Sequence, residues 1–154
     1  MSKIIMQLQK EFCKNFDSLT GRQDHRIVWE DFITISQHAL DIHKHLEGEP
    51  LPTHIADFYH DEEWECFGKM FDLTMKALEQ NSDQDFLGAL YMKLGLSNHS
   101  RGEEFTPYTV CRALAGEAIK GIEEHVQENG WASVGDPACG AGAILIAYAN
   151  ECSR

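Results

Sequence analysis

The sequence predicts a mainly helical protein: a helical N-terminal domain over residues 1–96, followed in residues 97–154 by one strand-turn-helix unit. Three observations carry this. Apolar residues recur at steps of three and four through the first two-thirds of the chain, as helices with one buried face require. No segment before about residue 130 alternates with a period of two over four or more positions. Finally, the β-compatible run Trp131-Ala132-Ser133-Val134-Gly135 enters a glycine-containing turn and then the apolar segment 143–148. At 154 residues, 43% hydrophobic and 25% charged, the chain has the size and balance of one ordinary globular domain rather than of a disordered or fibrous protein.

Taken in order, Ile5, Leu8, Phe12, Phe16 and Leu19 form the first stripe, with Gly21 as its stop. Val28, Phe32, Ile35, Ala39, Ile42 and Leu46 form the second, ending at the breaker Gly48-Glu49-Pro50-Leu51-Pro52. A third helix carries Trp64, Phe67, Phe71, Thr74, Met75 and Leu78, with Asp61 as its N-cap. Asn81-Ser82-Asp83 breaks the chain and caps a fourth helix through Phe86, Leu87, Leu90 and Leu94. Residues 97–102 are polar and glycine-ended, which predicts a loop. Thr106-Pro107 then starts the next helix: the hydroxyl caps an orphan N–H, and proline at the first helical position loses nothing by lacking its own. Val110, Leu114, Ala118, Ile122 and Val126 give that helix one face at four-residue steps, and Gly130 closes it. The stripes share no repeat.

Lys and Arg number 13 against 25 Asp and Glu, a formal net charge of −12, and such a surface repels phosphate. Little or no binding to DNA or anionic lipid is therefore expected of this chain alone. The five cysteines are widely spaced, with no Cys-x-x-Cys pair, and read as reduced thiols. The N-terminus lacks the apolar block of a signal peptide, and the longest apolar run, residues 143–149, is far shorter than the roughly 20 residues that cross a bilayer. A cytoplasmic protein with no membrane partner is the expectation.

Several features have an ordinary explanation. His38, His43, His45, His54 and His60 include no pair at the i, i+4 step of a helical metal site, so no metal ligand is assigned. Asp61-Glu62-Glu63 suits the first turn of a helix, where carboxylates complement the dipole. The many aromatics lie on or beside the stripes and read as core.

Chemistry concentrates at Asp136-Pro137-Ala138-Cys139-Gly140-Ala141-Gly142. Strand, glycine turn, helix is the layout of a nucleotide-type cofactor site. Gly140 and Gly142 lack the Cβ atoms that would hold a ligand off the backbone and tolerate positive φ. The N–H groups opening the next helix favour a carboxylate, and Asp136 can accept hydrogen bonds from a cationic or hydroxyl-bearing ligand. The segment is neither a phosphate loop, which ends in Gly-Lys-Ser/Thr, nor a full G-x-G-x-x-G fingerprint.

This segment resembles the S-adenosylmethionine-binding motif of N6-adenine DNA methyltransferases of the type I restriction-modification M-subunit kind. Phe105-Thr106-Pro107, 31 residues before Asp136, is similar to the Phe-Thr-Pro helix start of that family, and Asp85-Phe86-Leu87-Gly88-Ala89-Leu90-Tyr91 to the D-x-x-G-x-x-Y stretch that precedes it. Together the matches cover roughly residues 83–150. The resemblance implies that residues 97–154 are the first β-α unit of a Rossmann-like class I methyltransferase fold, incomplete at Arg154. It also implies a cofactor half-site of Phe105, Thr106 and Pro107 on one side, with Asp136, Pro137, Ala138, Gly140 and Gly142 on the other; Cys139 is structural in the family. The implied activity is methyl transfer to the N6 of an adenine flipped from DNA. The family's Asn/Asp-Pro-Pro-aromatic tetrapeptide is absent: the prolines are Pro50, Pro52, Pro107 and Pro137, no two adjacent. No catalytic residue is therefore assigned.

Two function classes follow. The chain is the N-terminal part of such an enzyme and inactive alone, or it is a stand-alone binding or regulatory protein that docks to a methyltransferase or restriction partner. DNA is the family's substrate, a specificity or restriction subunit the expected protein partner, and a second copy of the chain the candidate cover for a lone strand edge. Mimicry of DNA by the acidic surface is a third class, weakened by the absence of regular charge spacing.

Overall fold

A computed structural model of the chain describes residues 2–41, 47–97 and 104–153. The expectations for Ile42, Leu46, His43, His45 and the loop at 98–102 lie outside these residues. The chain divides into two compact units, Met1–Lys76 and Ala77–Arg154.

In the first unit, α1 (Lys3–Leu19) is capped by Ser2, whose hydroxyl accepts from the Ile5 N–H at 3.2 Å. It buries Ile5, Gln9, Phe12, Phe16 and Leu19. The helix α2 (His25–Leu40) is capped by Asp24, whose carboxylate accepts from the Arg26 N–H at 2.8 Å. Phe12 meets Phe32 edge-on at 5.2 Å, and Trp29 tilts against both at 6.2 and 6.0 Å. These are favourable aromatic geometries, and the rings form the core joining α1 to α2. The short α3 (Thr53–Ala56) follows the prolines and buries Ile55. Next to it the Tyr59 hydroxyl donates to the buried carboxylate of Asp31 at 2.5 Å. Burial, and then that carboxylate, hold the Tyr59 phenol well above its ordinary range.

The third predicted helix is α4 (Asp61–Gln80), with Asp61, Glu62 and Glu63 in its first turn. Asp61 is not its N-cap. His60 precedes the helix, its carbonyl accepting from Glu63 and Trp64, while the Glu63 carboxylate reaches back to the His60 N–H at 2.8 Å. That is the returning half of a capping box.

In the second unit the fourth predicted helix is α5 (Phe86–Lys93). Its cap is Asp85 rather than residues 81–83, with the carboxylate accepting from the Gly88 N–H at 2.8 Å. Residues 81–84 instead form a knot of side-chain to backbone bonds. Gln84 donates to the carbonyls of Ala77 and Asn81, and Tyr108 donates to Asp83 at 2.8 Å. Arg112 lies 3.3 Å from Asp83 and 3.7 Å from Glu151, and Ser82 and Asn150 bond each other twice. This loop thereby ties the start of α6 (Tyr108–Lys120) to the end of α8 (Ala143–Cys152).

The long helix predicted from Thr106 to Gly130 is two helices, α6 and α7 (Glu123–Asn129). At the join Gly121 and Ile122 donate three residues back, to Ala118 and Ile119, so the i→i−4 ladder stops; glycine is the weak helix former there. Gly130 does close the second piece, at φ +79°. Thr106 makes no capping bond, and Pro107, at φ −55° and ψ 134°, is the extended residue before the helix, not its first helical one.

The strand does not form. Among the described residues the only regular elements are helices and there is no strand, so the β-α unit of a Rossmann-like fold is not present there. Residues 131–135 are irregular, with Trp131 65% and Val134 42% exposed. A strand needs a neighbour to take its N–H and C=O groups, and no second β-like run lies among the described residues to supply one. No described helix is long and apolar enough to cross a membrane.

Candidate functional site

The core that positions the site is small-residue packing between α6 and α8. Cys111 and Ala115 on one helix meet Ala143 and Ala147 on the other, flanked by Tyr108, Ile144 and Tyr148. Each pair is spaced by four, so one row from each helix faces the other, and side chains this small let the two backbones come close.

Between the irregular segment and α8 lies the glycine loop. The Asp136 carboxylate accepts from the Ala138 N–H at 2.9 Å, turning the chain, and the Gly142 N–H donates to the Cys139 carbonyl at 2.7 Å, closing the turn. Gly140 and Gly142 have φ of +51° and +79°, a backbone region that L side chains rarely adopt. They differ in surroundings. A Cβ at Gly142 would meet open space, whereas one at Gly140 would lie 3.2 Å from Cδ1 of Phe105. The absent side chain of Gly140 thus leaves room for a protein ring.

Phe105 in turn lies against Tyr91 of α5, nearly parallel, at 5.2 Å between centroids and 24° between planes. The three sequence stretches singled out above therefore touch in series: Tyr91 on Phe105, Phe105 on Gly140.

The second and third of these stretches border a cleft of about 220 Å³. Of the eight predicted site residues, Phe105, Thr106, Asp136, Ala138 and Gly140 line it. Pro107 lines an adjacent hollow of about 160 Å³ together with Phe105, Thr106 and Asp85. Pro137 and Gly142 line neither and shape the loop instead. Sequence reasoning missed Glu104, Cys111, Leu114, Ala141, Ala143 and Ile144, and gave Cys139 no place in the lining. The apolar ones carry no chemical signal, and only the packing of α6 on α8 brings them to the cleft.

The cleft is acidic: it offers the carboxylates of Glu104 and Asp136, and no described lining residue is lysine or arginine. Phosphate does not suit such a wall, whereas a cationic or hydroxyl-bearing ligand does. Burial, then the Asp85 charge, push the Cys111 thiol up, with Asp136 adding to it, so this thiol stays protonated and inert. Asp85 is itself held above the ordinary carboxylate range by burial, against the lowering effect of the Gly88 N–H. Closed small-molecule sites typically occupy about 300–1,000 Å³, so the cleft is large enough for part of a nucleoside-sized ligand. The chain matches no protein-family model, no curated protein and no solved structure.

Proposed function

We propose that this chain carries an S-adenosylmethionine half-site belonging to a cytoplasmic N6-adenine DNA methyltransferase of the restriction-modification kind. The observation that supports it is that residues of Phe105–Pro107 and Asp136–Gly142, some thirty positions apart in sequence, meet at one acidic cleft, with Tyr91 stacked on the Phe105 ring outside it. Asp136 and Glu104 would face the cationic and hydroxyl-bearing parts of the cofactor, and the N–H groups of Ala143 and Ile144, opening α8, its carboxylate. Ala138 and Gly140 line the cleft without bulky side chains of their own, and Phe105 fills the space beside Gly140. Bound there, the cofactor supplies a sulfonium methyl group. The tetrapeptide with which the family frees the adenine amine is not among these 154 residues, so we expect binding without turnover by this chain alone.

Isothermal titration of the full chain with S-adenosylmethionine tests this. Micromolar binding is expected, lost in Gly140→Leu and weakened about tenfold in Asp136→Asn, which leaves the backbone turn a side-chain acceptor. No heat at millimolar ligand overturns it.

A second reading, a non-catalytic module that docks to a methyltransferase, specificity or restriction subunit, is favoured by Val110 and Leu114, 45% and 52% exposed one turn apart on α6. It predicts co-elution with such a subunit, weakened by Val110→Ser, in the absence of cofactor.

A further inference from the structure

We infer that Tyr91 is a positioning residue of the cleft: through its stack on Phe105 it sets where the Gly140 turn lies, although it lines neither the cleft nor the adjacent hollow. The part of this inference that concerns ligand affinity rests on the cofactor reading above; the part that concerns the loop does not.

The helix that carries Tyr91 is held at both ends. This helix, α5, is only eight residues long, too short to be stable by propensity alone. At the start the Asp85 carboxylate bonds the Gly88 N–H, and a Cβ at Gly88 would make that carboxylate shift from its present seat. At the end Gly95 turns at φ +68°, the Leu96 N–H donates to the Tyr91 carbonyl at 3.2 Å and the Gly95 N–H to the Met92 carbonyl at 3.1 Å. This paired arrangement is a Schellman motif, and Leu96 beyond it is buried. Tyr91 is thus an anchored ring on an anchored turn.

Phe105 is held differently. Residues 104–107 belong to no helix or strand, and the backbone ties come after the ring, where the Thr106 carbonyl accepts from the Cys111 thiol and the Pro107 carbonyl from the Val110 and Cys111 N–H groups. The Phe105 ring stacks on Tyr91 at 5.2 Å and lies so near Gly140 that a Cβ added there would be 3.2 Å from Cδ1. A ring free to tilt would release Gly140, whose turn is closed by the Gly142 to Cys139 bond at 2.7 Å. The stack therefore transmits the order of α5 to the loop that carries the binding groups. The Asp85, Gly88 and Tyr91 positions act together: cap, room for the cap, and the ring that the cap holds in place.

The test uses the full chain and two readouts. Hydrogen exchange at the Gly142 N–H, followed by NMR without ligand, should quicken at least fivefold in Tyr91→Ala and return to the parent rate in Tyr91→Phe, which keeps the stacking face. Amides of the α6–α8 core, at Ala115 and Ala147, should not change. Phe105→Leu should give the same local effect, and adding Tyr91→Ala to it should add nothing. With S-adenosylmethionine, affinity should fall about five- to tenfold in Tyr91→Ala and stay within twofold in Tyr91→Phe. A faster Gly142 amide in Tyr91→Ala, together with a parent chain that binds no cofactor, would uphold the positioning role and defeat the cofactor reading. An unchanged Gly142 amide, an equal acceleration at Ala115 and Ala147, or additive effects of the two substitutions would overturn the inference.

Discussion

The seat of Phe105 on Gly140 makes a quantitative demand on two glycines that look alike in the sequence. Both have positive φ, so replacing either with alanine brings the cost of a left-handed L-residue, about 1 kcal/mol. At Gly142 nothing lies within 4 Å of the new Cβ, so the cost should stop there. At Gly140 the Cβ would meet Phe105 at 3.2 and 3.4 Å, inside the ~3.5–4.0 Å of comfortable carbon contact. The ring must yield by a few tenths of an ångström, which at the low end of overpacking penalties adds roughly 1 kcal/mol. Gly140→Ala should thus cost about 2 kcal/mol and Gly142→Ala about half of that. Urea unfolding followed through NMR signals of α6 and α8 reads the second unit separately from the first, which matters because two units need not unfold together. In a Phe105→Ala background the extra cost at Gly140 should vanish, leaving the two glycines equal; the cycle isolates the ring contact from the backbone term. Equal costs in the parent background, to within about 0.3 kcal/mol, would refute the seat.

Two further outcomes follow from the same unit. Asp85→Asn should raise the urea midpoint at pH 7, because the amide oxygen still caps Gly88 while the half-buried charge is gone. A carboxyl whose folded pKa is raised contributes stability present below its unfolded pKa and lost as pH rises through the folded one, so the advantage of the variant should shrink as pH falls toward 4; Asp85→Ala, lacking the cap, should cost about 1 kcal/mol. Ala115→Leu, at a fully buried position, should cost about 1–3 kcal/mol by overpacking, whereas Leu114→Ser, next to it in sequence and half exposed, should stay within about 0.5 kcal/mol by the same urea assay.

How much of this was legible in the sequence differs from element to element. The helices of the first unit announce themselves because Phe12, Phe16, Val28 and Phe32 are both large and buried, so the hydrophobic stripe and the packed face coincide. The glycine turn was legible too, since positive φ at Gly140 and Gly142 is something only residue type can signal. Caps were half legible. Asp24 and Ser2 act as sequence rules expect, but at α4 and α5 the capping group lay one residue before or two after the expected one, because several polar residues in a row can each serve and tertiary contacts choose among them. The run at 131–135 failed for a different reason. β propensity describes how a segment fits a sheet, and no other described segment pairs with this one.

The sharpest divergence is one of register, and it bears on the site. On α6 two rows run side by side at four-residue spacing: Val110 and Leu114, and one position later Cys111 and Ala115. Hydrophobicity favours the first row, and the structure buries the second. The facing row on α8 explains the choice. Ala143 and Ala147 leave a shallow groove into which a backbone can settle only behind side chains as small as cysteine and alanine, while leucine and valine would hold the helices apart. Close approach lets many weak contacts form along both helices, and that gain outweighs leaving two larger side chains in water. The rotation has a second effect. With Cys111 and Ala115 turned toward α8, Leu114 lines the cleft together with Ile144 and Asp136. The offset that hides the core from a hydrophobicity count is therefore also what gives an acidic cleft its one large aliphatic wall. A ligand there must present a charged or hydroxylated edge and an apolar one, a demand that neither the glycine motif nor the helix stripe states alone.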